Sequence, residues 1–246
     1  MIMKFEIRNS KSETNSNESN SNFKNWNVFR ISHFGLRIFI SLSMVLASWT
    51  FAAPAPLYTN NFEKAQLDQV PDDMLVLDGA FAIKQDAGNK FLELPGAPLD
   101  TFGVLFGPTT NANVAVTARI YGTGKGRRYP SFGVGLNGAG GYRLKVEPSK
   151  DKLELYKGDD VITSVHFKWK TATWTNFRLQ IRPAGQGQWT IEGKAWDSAG
   201  KEPDQWAITY NEKTEPTPGR ASIVGSPYSG TPIRFDDLAV VPLEKK

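Results

Sequence analysis

Residues 175–196 read TNFRLQIRPAGQGQWTIEGKAW, and their spacing decides the fold. Phe177, Leu179 and Ile181 alternate with Asn176, Arg178, Gln180 and Arg182. After the turn-forming PAGQGQ, Trp189 and Ile191 alternate with Thr190, Glu192, Lys194 and Trp196. Extended backbone sends successive side chains to opposite sides, so this period of two predicts strands with one buried face. Two such runs separated by Gly and Pro predict a β-hairpin. If Arg182 pairs near Thr190, Asn176 falls beside Trp196 and Gln180 beside Glu192.

The same period extends outward from this hairpin in both directions. VAVTARIYG (Val114–Gly122) puts Val114, Val116, Ala118 and Ile120 on one side. YRLKVE (Tyr142–Glu147) and KLELYK (Lys152–Lys157) behave likewise, and WAITY sets Trp206, Ile208 and Tyr210 together. No amphipathic helix of ordinary length is present in the pattern. The expectation is an all-β fold, a two-sheet antiparallel β-sandwich, as one domain over residues 53–246. GTGKGRRYP (Gly122–Pro130) has the composition of a phosphate loop, but a strand pattern follows it where a helix is required, and Lys125 precedes Gly126 rather than Ser or Thr. It reads as a strand connection, which excludes a nucleotide partner. GLNGAGGY (Gly135–Tyr142) reads as a turn needing positive-φ residues.

The first 29 residues are a Ser/Asn-rich leader with no apolar period, expected to be disordered. Residues 30–52 place Arg30, His33 and Arg37 before the apolar IFISLSMVLASWTFAA, the pattern of a signal peptide. Thr50 and Ala52 fit the small-residue rule for cleavage before Ala53. Export to the periplasm or the medium is therefore expected. The alternatives are an uncleaved leader, the single route to a membrane, and a translation start further along the chain. Of 29 Lys and Arg and 25 Asp and Glu, residues 53–246 retain 23 and 22. No basic field remains to attract nucleic acid. The chain has no cysteine, so an exported domain must hold together without disulfides. His166 is the single histidine after residue 52, which leaves no His-rich metal site.

TATWTNFRLQIRPAGQGQWTIEGKAWD (Thr171–Asp197) and the closing GTPIRFDDLAVVPL (Gly230–Leu243) together resemble the concanavalin A-like lectin/glucanase superfamily of jelly rolls. Laminin-G-like modules and 3-keto-disaccharide hydrolase-type domains are the nearest variants, and LYTNNFEKAQLDQVP (Leu57–Pro71) is similar to the way many of them begin. The resemblance implies a carbohydrate-facing or structural module outside the cytoplasm. The glucanases of this superfamily carry a Glu-x-Asp-x-x-Glu strand, which this chain lacks. Glu202-Pro203-Asp204 has the nearest spacing, within the turn-like SAGKEPDQW and without a third acid.

The candidate ligand face follows from the alternation. Trp174, Asn176, Arg178 and Gln180 share one side of a strand, and Glu192 and Trp196 share the matching side of the next. An indole stacks on the apolar face of a pyranose while amide and guanidinium groups take its hydroxyls, so an oligo- or polysaccharide is the expected partner. The outward Tyr156 would extend the platform, and Arg127, Arg128 and Tyr129 would form its rim. The alternative is that the loop Asp197–Gln205 folds back and buries Trp196. Glu147, Glu154 and Glu192 also face outward; they read as cross-strand ion-pair partners or as a carboxyl pair for glycoside hydrolysis.

In IRFDDLAVV the alternation slips at Asp236–Asp237, the mark of a bulge. Pairing of the first and last strands would bring Glu63 near Asp236 and Asp237, and hard oxygen ligands there would hold a structural Ca²⁺. The alternative is Asp236 bonding backbone amides within the bulge. His166 reads as a strand-end residue. Three functions remain open from the residues: a non-catalytic glycan-binding module, a glycoside hydrolase of the 3-keto-disaccharide hydrolase type, and a structural or interaction module.

Overall fold

A computed structural model describes residues 55–244; the leader 1–29 and the signal segment 30–52 lie outside the described residues. Fifteen strands follow in order: β1 (Tyr58–Asn60), β2 (Leu75–Asp78), β3 (Ala82–Asp86), β4 (Asn89–Leu94), β5 (Phe102–Thr110), β6 (Val114–Gly122), β7 (Ser131–Leu136), β8 (Tyr142–Glu147), β9 (Lys152–Lys157), β10 (Asp160–His166), β11 (Thr173–Gly185), β12 (Gln188–Asp197), β13 (Ile208–Glu212), β14 (Gly219–Ser226) and β15 (Ile233–Pro242). One 3₁₀ turn, Pro148–Lys150, interrupts them, and the described residues contain no α-helix.

The strands make two antiparallel sheets. The first runs β13-β12-β11-β6-β15-β4-β3, with β1 added beside β15; the second runs β10-β9-β8-β7-β14-β5-β2. Sequential hairpins build β7 to β10 and β11 to β13. The chain closes because β15 inserts beside β6 and β14 inserts between β7 and β5.

The inner faces carry the alternating apolar residues. Val114, Val116 and Ile120 of β6 and Phe177, Leu179 and Ile181 of β11 are buried, and they meet Phe132, Val134, Leu144 and Leu155 of the second sheet. Each such side chain contributes about 1.5–3 kcal/mol by leaving water. Gly193 marks a close approach of the sheets, since a Cβ there would lie 2.8 Å from Leu144 Cδ1. Alternation alone thus built the sandwich, without disulfides.

Turns fall where the residues demand. Asn137 and Gly138 take positive φ in the β7–β8 turn. In the loop between β6 and β7, Lys125 and Arg128 bridge across Gly126, which has φ +62°. The connection is a closed strand-to-strand loop, with Arg127, Arg128 and Tyr129 exposed and leaving the strand end where Gly122 pairs with Thr173. His166 ends β10 and is exposed. In β15, pairing with β6 jumps from Asp236↔Arg119 to Ala239↔Thr117, and Asp237 takes φ +49°. That is the bulge expected from the slipped alternation.

Candidate functional site

The β11–β12 hairpin pairs Asn176 with Trp196, Arg178 with Lys194, Gln180 with Glu192 and Arg182 with Thr190. All eight lie on the outer face of the first sheet. On its other edge β11 pairs Trp174 with Tyr121 and Asn176 with Arg119, so β6 continues the same surface. This face divides into two halves with different fates.

Toward the β11–β12 turn the polar groups bond to one another. Gln180 and Glu192 are buried, and Gln180 Nε2 donates to Glu192 Oε2 at 2.7 Å, as does Arg182. Lys194 is buried too: its ammonium donates to the Pro203 carbonyl at 2.6 Å and lies 2.8 Å from Glu202 Oε1. The Arg178 guanidinium reaches the same carboxylate at 3.4 Å. Trp206 covers Lys194, with its ring 4.5 Å from the ammonium. Residues 202–206 therefore fold back over Arg178 and Lys194. Gln180, Glu192 and Arg178 are committed to internal partners rather than turned to a ligand. Trp206, read from alternation as a core residue with Ile208, instead precedes β13 and sits on the outer face, because the strand begins after it.

Toward the opposite end, Trp174, Asn176 and Trp196 are half-buried. Asn176 Oδ1 accepts from Ser198 Oγ at 2.9 Å, which orients the amide so that Nδ2 points away from this bond. The Arg119 guanidinium lies 4.6 Å above the Trp174 ring, and Tyr121 meets Trp174 at 5.6 Å, tilted by 53°. Next along the row, Arg234 lies between Phe91 at 4.5 Å and Tyr121 at 5.5 Å. Arginines and aromatic rings thus interleave across β11, β6, β15 and β4. Cation–π contact ties each guanidinium to its rings; Trp174 and Tyr121 remain part-exposed, whereas Phe91 is buried. Arg119, Tyr121 and Arg234 were missing from the sequence reading. Their outward parity was visible, but the pairing that lays β6 beside β11 and β15 is non-local.

Tyr156 does not extend this platform. It lies on β9 in the second sheet, opposite Arg143 of β8, so it faces the other side of the sandwich. Its hydroxyl donates to Glu154 Oε2 at 2.6 Å and lies 3.3 Å from Glu147 Oε1. Burial pushes the Glu154 carboxyl up, but hydrogen bonds from Tyr156 and Lys150 and the charges of Lys150 and Lys152 outweigh it and hold the group below the usual carboxylate range. Glu147 accepts from Ser131 Oγ at 2.7 Å and pairs with Lys145 at 2.9 Å. Both carboxylates are engaged in ion pairs and hydrogen bonds within this sheet.

The calcium corner is also different from the expectation. β1 does pair with β15, Asn60 opposite Leu238. Asp236, however, is buried against the Arg119 guanidinium at 2.6 Å, with Asn89 Nδ2 and the Asp237 amide as further donors. Asp237 takes the other edge of Arg119 at 2.8 Å, and Glu63 accepts the Lys90 amide at 3.1 Å. An arginine supplies the positive charge, so Glu63, Asp236 and Asp237 do not converge on a cation. Among the described residues no group of three His, Cys, Asp or Glu side chains is placed to hold a metal.

No protein-family model matches the sequence, and no curated protein matches it. Solved structures do. A Bacillus subtilis protein of unknown function with a galectin-like fold aligns with a TM-score of 0.56 at 12% identity, over 79% of this chain and 99% of that one. The metal-free carbohydrate recognition domain of Emp46p aligns with a TM-score of 0.53 at 10% identity, over 79% of this chain and all of that one (100%). These likenesses show the fold alone, a two-sheet antiparallel β-sandwich.

Proposed function

We propose that this jelly-roll sandwich is an exported, non-catalytic carbohydrate-binding module that holds a glycan on the outer face of its first sheet, around Trp174, Asn176 and Trp196. One observation carries the reading: Asn176 and Trp196 are cross-strand partners, both part-exposed, with Trp174 two residues away on the same face. Part-open indoles flanking an amide suit a sugar ring, whose C–H face stacks while its hydroxyls find donors. The Emp46p carbohydrate recognition domain shows that a fold of this kind serves that purpose in another protein, and one fold hosts many functions. Periplasmic or extracellular location follows from the reading of residues 30–52 as a signal peptide.

The test is a polysaccharide array probed with the full chain and with Trp196→Ala and Trp174→Ala. Each substitution should weaken binding by about tenfold, or about 1.4 kcal/mol. Equal binding by wild type and both variants would remove this face from the site. Release of reducing sugar from any bound polysaccharide would overturn the non-catalytic part.

A further inference from the structure

The strands that end the two sheets are finished differently. β3 is covered: the Asp68 amide donates to the Ile83 carbonyl and the Ile83 amide to the Gln69 carbonyl, each at 2.9 Å. β13 exposes Thr209 and Asn211, and β10 exposes Asp160, Val161 and His166. β2 is the last strand of the second sheet and pairs with β5 alone. Among the described residues, no backbone group outside that pairing bonds to Leu75, Val76 or Leu77. Leu75 and Leu77 are 52% and 47% exposed. Leu75 pairs with Leu105, and Leu77 borders a hollow that Gly103 and Val224 also line, so the apolar surface continues inward from the edge. An edge strand with open N–H and C=O groups, and with neither Lys nor Pro to blunt it, is a template for a further strand.

We infer that the open edge of β2 docks an extended peptide strand of another protein, one with alternating apolar residues and a Lys or Arg at each end. Charge selects this occupant. Asp72 and Asp73 precede β2, Asp78 ends it, and Asp100 adjoins Thr101, which borders the same hollow as Asp78. All four are exposed. Asp78 and Asp100 accept only the amides of Gly79 and Thr101, both at 2.7 Å. The nearby cations are committed elsewhere: Arg143 pairs with Asp159 at 2.9 Å, and Arg220 donates to the carbonyls of Gly107 and Asp73. A second copy of this chain fits poorly. Antiparallel pairing of β2 with itself would bring Asp78 of each copy within about two residues of Asp73 of the other, and like charges across strands repel. The same acids repel an anionic bilayer. A strand with basic ends meets them with opposite charge while its backbone extends the ladder. Main-chain bonds then supply the affinity, and the leucines with their flanking acids supply the selectivity. This surface shares no residue with the Trp174–Trp196 face and does not depend on it.

The test is a ¹H–¹⁵N NMR titration of the full chain with the end-blocked peptides KVTVTVK, EVTVTVE and KVPPTVK. The first should shift the amides of Leu75, Val76, Leu77 and Asp78. Its binding should weaken about fivefold as NaCl rises from about 50 to about 500 mM. EVTVTVE should not bind. KVPPTVK should bind about tenfold more weakly than the first, because its adjacent prolines remove a ladder donor in either register. Asp78→Asn keeps an oxygen for the Gly79 amide and should weaken KVTVTVK about threefold with the melting temperature unchanged. Asp72→Lys combined with Asp78→Lys should reverse the preference between the first two peptides. Equal binding of KVTVTVK and EVTVTVE, full binding of KVPPTVK, or no shift at these four amides overturns the inference. Self-association through the same amides without peptide would make a second copy the occupant and overturn it too. So would binding of the free chain to phosphatidylcholine vesicles that Leu77→Ser abolishes, since a lipid surface would then be the occupant.

Discussion

The outer faces of the two sheets are made from the same residue types and use them differently. On the first sheet, Arg119 and Arg234 lie over Trp174, Tyr121 and Phe91, and acids hold them there. On the second, Tyr156 is a hydrogen-bond donor to buried acids, and the centre of the sheet is thinned by the outward Gly133 and Gly135 of β7. An aromatic ring stacked on by a cation leaves a flat, wide surface. A hydroxyl bonded to a carboxylate leaves a polar lattice, with a hollow where glycines stand.

Three substitutions probe that contrast. The largest effect belongs to Asp236→Ala, which strips a buried partner from Arg119 and leaves the guanidinium with Asp237 and the Asn89 amide oxygen. It should cost about 3 kcal/mol in urea unfolding and change the Trp174 fluorescence as the Arg119 guanidinium shifts over the ring. An unchanged spectrum would mean that the stacked row is not held by its acids.

Next comes Glu212→Gln, which tests what ties the two sheets at one end. Glu212 of β13 accepts from Tyr142 and from Lys157, both on the second sheet, each at 2.6 Å. Burial pushes its carboxyl up, but the bonds from Lys157, Tyr142 and the amides of Thr214 and Lys213 overcome this and lower it to about 2. A carboxyl depressed when folded stabilises the fold above its unfolded value near 4.5, and that stability is lost as pH falls toward 2. The variant should be about 2 kcal/mol less stable at neutral pH, with a shallower decline between pH 5 and 2. Parallel acid limbs for both proteins would refute the assignment.

The smallest effect is expected from Tyr156→Phe, about 1 kcal/mol. Removing that hydroxyl should let the Glu154 titration move upward, as read by carboxyl ¹³C NMR. Sugar binding at Trp174 and Trp196 should be untouched. A loss of binding there would mean that the two faces are coupled.

Much of this was legible in the chain. The alternation in VAVTARIYG and FRLQIR predicted strands that the structure contains, and the register supposed for the hairpin, Arg182 near Thr190, is the one found. The slip at Asp236–Asp237 predicted the bulge. Local period reports local geometry, so these readings needed no partner. Tyr156 was assigned to the wrong side because parity says which way a side chain leaves its strand, not which sheet that strand joins. Gln180 and Glu192 had outward parity yet are buried, and the Glu192 carboxylate is satisfied there by Gln180 and Arg182. Polar type predicted exposure; satisfied hydrogen bonds permitted burial.

The amino-acid order by itself determined that this chain makes strands, where they turn, and which residues of each face inward, since a period of two is a property of extended backbone. Only the folded chain decided that β6 lies between β11 and β15, that Arg119 rests on Trp174, and that Ser222 is buried opposite Gly135. Those neighbours are more than fifty residues apart in most cases, and no local pattern records which distant strand will close the sheet.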